Sequence, residues 1–74
     1  MIGVDTMKDI PATIKAARIR CGFTQKELGL KMGHPESSAD NIVRQWESGR
    51  RPVPIDKIRP LAAALNLTLD DLIP

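Results

Sequence analysis

Residues 24–46, TQKELGLKMGHPESSADNIVRQW, decide the reading of this chain: a short helix, a turn, and a second helix with a polar face. Thr24 suits an N-cap, because its hydroxyl can accept a first-turn backbone N–H that has no partner within the helix. Glu27 lies three residues on and completes a Thr-x-x-Glu capping box. Leu28 and Met32 share one face at i, i+4. Gly29 stands between them, where a side chain would block a second helix from crossing closely. Gly33 falls at the predicted C′ position, where a left-handed backbone costs glycine least. Val43 and Trp46 begin a second apolar stripe at i, i+3.

This pattern resembles the helix-turn-helix of the Cro/cI-type (XRE-like) repressor family, the lambda-repressor-like domains. In that family the first helix opens with Thr-Gln, has a small residue at its fifth position and ends in glycine. The second turns a β-branched and a large apolar residue inward. The matching positions here are Thr24-Gln25, Gly29, Gly33, Val43 and Trp46, followed by Glu47 and Gly49-Arg50-Arg51. The likeness extends upstream through Arg18, Gly22 and Phe23, and downstream through Leu61-Ala62, Ala64-Leu65 and Leu69 to Leu72. A Thr-Gln-x-Glu-Leu string alone is a weak signal, whereas the ordered set at matching spacings is a strong one. One departure stands out. The gap from Gly33 to Val43 is about four residues longer than the usual pattern. Either the turn is longer, or the recognition helix starts earlier.

The resemblance implies an all-α fold: a five-helix lambda-repressor-like bundle with its helix-turn-helix at about residues 24–47 and a lengthened turn. It implies sequence-specific binding of double-stranded DNA by a bacterial or phage transcriptional regulator, a repressor by type. It also implies an ion pair between Arg18 and Glu47. The recognition helix, about residues 38–47, would lie in the major groove. Asp40, Asn41, Arg44 and Gln45 stay on its open side. Asparagine and glutamine can pair with adenine, arginine with guanine, and aspartate can accept from cytosine. Asp40 can alternatively cap the helix or orient Arg44 four residues on. Gln25 lies in the first turn of the preceding helix, where a phosphate is favoured. Arg50 and Arg51 lie in the following loop, suited to flanking phosphates. With Lys26 and Ser38, these make the candidate DNA-binding set. A plain solvated helix face and an ordinary basic loop would have the same composition.

Outward from this core the chain divides simply. Residues 1–9 lack periodicity and read as a flexible N-terminal arm, and residues 10–74 as the helix-turn-helix domain. A first helix begins near Pro11, whose missing N–H costs nothing in a first turn. Ile14, Ala17 and Cys21 form its inward stripe, Gly22 ends it, and Phe23 occupies the staple position before the next helix. His34-Pro35-Glu36 makes the connection, with His34 read as an exposed turn residue. Ser37 or Ser38 can cap the third helix, and Ser37-x-x-Asp40 has capping-box spacing. A fourth helix over about Ile55–Leu65 presents Ile58, Leu61, Ala62 and Leu65 inward. Pro60 within it should kink or break it. Asn66 ends it. Thr68 and Asp71 then box a short last helix, with Leu69, Leu72 and Ile73 inward.

Composition is compatible with this reading. Seventy-four residues make one small domain, and the net charge is +2 with a pI near 9.0. Five basic residues against two acidic ones occupy Arg44–Arg59, while the last dozen residues carry only Asp70 and Asp71. One cysteine, Cys21, excludes an internal disulfide. There is no signal-like start and no membrane-length apolar run, so a cytoplasmic protein is expected. No metal-ligand spacing, phosphate loop or His/Cys/carboxylate set points to an enzyme or a cofactor. The expected partners are duplex DNA and, because one module buries only about 600–1,000 Å², a second copy as a homodimer. The alternative is a protein-interaction module on the same fold, an antitoxin or adaptor gripping a partner protein.

Overall fold

The structure, a computed structural model, describes residues 9–73. Among them are five α-helices and no strand: α1 (Ile10–Arg20), α2 (Gln25–Lys31), α3 (Ala39–Ser48), α4 (Ile55–Leu65) and α5 (Leu69–Leu72). The arm expected over residues 1–9 lies outside the described residues except for Asp9. That residue is the N-cap of α1, its carboxylate accepting the Ala12 N–H at 3.2 Å.

Local chemistry sets most boundaries. Thr24 and Glu27 form the full capping box of α2: the Thr24 hydroxyl accepts from Glu27 N at 3.0 Å, and Glu27 accepts from Thr24 N at 2.8 Å. Thr68 and Asp71 repeat the device on α5. Asn66 caps α4 in the left-handed region at φ 59°, a conformation asparagine tolerates better than most residues. The spacing Ser37-x-x-Asp40 does not make a box, and neither serine caps α3 through its side chain. The Pro35 carbonyl accepts from both Ser38 N and Ala39 N, at 3.0 and 2.9 Å. The turn thereby feeds its own backbone into the start of α3. The extra residues after Gly33 go into this turn, and α3 begins only at Ala39.

The core joins Ile14 and Ala17 of α1, Leu28 beside Met32, Val43 and Trp46 of α3, Leu61, Ala62 and Leu65 of α4, and Leu72 of α5. Cys21 is half-buried, and its thiol lies 3.5 Å from the Leu65 carbonyl. Three expectations need correcting. The first is narrowed only: of the kink or break expected at Pro60, the break does not occur, and α4 runs through it. Proline there removes the N–H that would reach Asp56, but Asp56 and Pro60 are both exposed, so water can take that carbonyl. Of the last apolar residues only Leu72 turns inward, since a four-residue helix has room for one buried position, and Leu69 and Ile73 stay exposed. His34 is not an exposed turn residue. Its ring stands edge-on to Trp46, with centroids 5.8 Å apart, and its Nε2 is buried without a hydrogen-bond partner.

Candidate nucleic-acid interface

The helix α3 is fixed from below before its outer face can matter. Val43 is fully buried and Trp46 nearly so. At its start α3 presses on α2: a Cβ on Gly29 would lie 2.3 Å from the Ala39 carbonyl oxygen. Only glycine permits that approach, as its place between Leu28 and Met32 leads one to expect. The far end of α3 is tied to α1. Arg18 Nε donates to Glu47 Oε2 at 2.5 Å, and its Nη2 to Oε1 at 3.2 Å. A third donor, Nη1, reaches the Phe23 carbonyl at 2.9 Å. These side chains are 11% and 5% exposed. The pair implied by the resemblance is therefore formed, bidentate and largely dry.

Gln25 joins the same cluster, its Nε2 donating to Glu47 Oε1 at 3.2 Å. An amide has two N–H donors, so this bond orders the side chain and leaves one donor over. Lys26 is exposed beside it, and its ammonium lies 3.5 Å from Glu36 of the lengthened turn. Ser38 is half-buried at the N-cap of α3. Asn41 and Arg44 are exposed and Gln45 half-buried. These three line one shallow concavity with Ser48 and Arg50. Asp40 lies one turn before Arg44 and pairs with it at 3.5 Å.

The two loop arginines part company. Arg50 joins the polar concavity, its backbone N–H reaching the Ser48 hydroxyl at 3.4 Å. Arg51 lines a separate apolar cleft with Trp46, Pro52 and Val53, while its N–H donates to the Gln45 carbonyl at 3.3 Å. One residue of this surface, Ser48, is not singled out by sequence alone and reads there only as part of the helix end; Glu36 is placed beside the groove-facing surface, but without a partner. Nothing local marks Glu36 as the partner of Lys26, because the pair forms across the turn.

The arrangement is a helix-turn-helix: one short helix packed across the base of a second, whose outer face is polar and whose inner face is anchored. The sequence pattern of the helix-turn-helix family HTH_3 matches residues 14–72, and the chain belongs to that family. Among solved structures, the crystal structure of the transcriptional regulator BswR is similar at 34% identity with a TM-score of 0.79. The match covers 86% of this chain and 61% of that one, so the present chain spans about three fifths of its length. No curated protein matches the sequence. Among the described residues no helix is long and apolar enough to cross a membrane.

Proposed function

We propose that this protein binds duplex DNA sequence-specifically in the cytoplasm as a bacterial or phage regulator, a repressor by preference, with α3 in the major groove. One observation carries the reading. Asn41, Arg44, Gln45 and Arg50 converge on a single concavity while Val43 and Trp46, on the opposite side of the same helix, are locked in the core. A rigid helix with hydrogen-bonding side chains outward is what base-edge readout needs. Asn41 and Arg44 contact bases, with Gln45 beside them. Gln25 and Lys26, Arg50 and Arg51 hold phosphates on either side. Ser38 and Asp40 face the groove at the start of the helix. Two copies act together on two half-sites, and the exposed Leu69 and Ile73 offer an apolar edge for that contact.

The test begins with a gel shift on random duplex at low salt. Weak, salt-sensitive binding is expected. Its complete absence would favour the protein-interaction reading, an antitoxin or adaptor. Variants then separate the roles. Arg51→Ala should weaken binding to every sequence and flatten the salt slope by about one. Arg44→Ala should lose about 1–3 kcal/mol, chiefly on the selected site. Equal losses on random and selected DNA would remove Arg44 from base reading.

A further inference from the structure

Two of the cations on the proposed DNA surface are already held by carboxylates of that same surface. Glu36 sits on Lys26 and Asp40 on Arg44, each at 3.5 Å. Both pairs are open to water: Lys26 and Glu36 side chains are 50% and 74% exposed, Arg44 and Asp40 61% and 46%. Exposed pairs of this kind are weak, so either carboxylate can be displaced by a stronger acceptor. Among the described residues neither Arg50 nor Arg51 has an acidic partner at ion-pair distance. The surface therefore has two restrained cations and two unrestrained ones.

We infer that Asp40 is a specificity-determining residue and that Glu36 is an affinity brake, the two acting on different components of DNA binding. This rests on the DNA-binding reading above. Non-specific affinity comes from basic groups meeting phosphates, so an acid beside such a group opposes it on every sequence. Glu36 does this to Lys26, which has only phosphates to meet, and so lowers random and selected affinity alike. The lengthened turn brings this carboxylate to the first turn of α2.

Asp40 differs because Arg44 stands in the concavity with Asn41 and Gln45. On a random duplex Arg44 would swing to a phosphate, and the Asp40 carboxylate beside it opposes that phosphate by like-charge repulsion. On the right site the guanidinium takes the O6 and N7 of a guanine, and Asp40 can accept from the N4 amino group of a cytosine. The same carboxylate thus penalises the wrong complex and is satisfied in the right one. The chemistry assigns a G·C-containing step to each half-site, opposite Asp40 and Arg44.

The experiment measures the full chain on its selected duplex and on a random duplex across a salt series. Asp40→Asn should raise random-duplex affinity about eightfold near 0.1 M salt, the value of one added phosphate contact. Selected-site affinity should stay level or fall, so the ratio drops about tenfold, and repeat selection should lose its preference at one G·C pair. Asp40→Glu, which keeps the charge, should keep random affinity low. Glu36→Gln should raise both affinities equally and steepen the slope by about one, with the ratio unchanged. Equal changes on both duplexes for Asp40→Asn would overturn the inference while leaving DNA binding intact, as would an unaltered Glu36→Gln. If the unaltered protein binds no duplex even at low salt, the DNA reading itself is lost and the inference with it. Unchanged unfolding midpoints for these exposed variants keep the comparison clean.

Discussion

Glu47 accepts from two nitrogens of Arg18 and from the Gln25 amide, while itself nearly buried. Removing Arg18 would leave a carboxylate in a dry site with one neutral donor. Arg18→Ala should therefore cost about 3–5 kcal/mol, mostly the penalty of the stranded charge. Arg20 is exposed, and Arg20→Ala should stay within about 0.5 kcal/mol. Urea unfolding midpoints of the two variants check this, and coincident midpoints would deny the pair a structural role. His34 makes a finer test. Its ring contact with Trp46 is worth about 0.5–1.5 kcal/mol, but its buried Nε2 has no partner. His34→Ala should lose the contact, whereas His34→Phe keeps a ring, drops the orphan nitrogen, and should match or exceed the parent. The emission of Trp46, the one tryptophan, reports unfolding in both. Residue-scale features are legible in the sequence where they are local. Thr24 with Glu27 and Thr68 with Asp71 announce their boxes because cap and partner lie three residues apart. The Arg18–Glu47 pair is reached through family resemblance, since its partners are 29 residues apart. The contact of His34 with Trp46 is not legible, because a histidine before proline reads locally as a turn and nothing nearby names the ring it meets.

At the scale of the helices, packing decides whether intrinsic propensity is felt. Propensity alone favours alanine over both glycine and proline, by about 1 and 3 kcal/mol. The structure separates the two cases. A Cβ at position 29 would meet the backbone of Ala39 at 2.3–2.7 Å, and backbone cannot swing aside as a side chain can. Gly29→Ala should force α2 and α3 apart and lose about 1–3 kcal/mol. Pro60 faces water in a helix that is already continuous, so Pro60→Ala restores a hydrogen bond to Asp56 without moving anything. Allowing for the freedom an alanine returns to the unfolded chain, the gain should be about 2 kcal/mol. Thermal unfolding of both variants should shift in opposite directions, and a shared direction would mean that propensity rather than the crossing governs Gly29. The number and order of the helices are readable in the sequence because each is marked by a capping residue, an apolar stripe or both. The length of the turn is readable as a count. Whether the extra residues extend the turn or α3 is not, since that depends on the Pro35 carbonyl taking two successive N–H groups. Nor is the orientation of α5, because apolar identity does not say which of Leu69, Leu72 and Ile73 reaches the core.

For the whole molecule, the proposed function raises the question of how a domain this small would find one site among many. The proposed recognition helix, α3, spans Ala39–Ser48, about 15 Å at 1.5 Å per residue, enough for a few base pairs of groove. Each base pair read well is worth about 1–3 kcal/mol, so one copy discriminates modestly. Two copies on one face of the duplex, as proposed, would double the readout and add the effective concentration of a tethered partner. Geometry then fixes what an experiment should see. The centres of two half-sites must lie about 34 Å apart, one helical turn, for both copies of α3 to enter the groove from the same side. Five base pairs inserted between the half-sites rotate the second by about half a turn, to the far face. Affinity should then fall to that of an isolated half-site, and footprinting should show one protected half instead of two. Inserting a full turn keeps the face but stretches the span, so binding should recover only if the contact between copies can reach. Ile73→Glu, on the exposed C-terminal edge, should produce the half-site phenotype on the unmodified operator while Arg44-dependent base preference persists. An operator with no repeat, bound tightly by a single copy and indifferent to spacing, would mean that the domain obtains its selectivity from one face alone, with the carboxylate beside Arg44 carrying more of the discrimination.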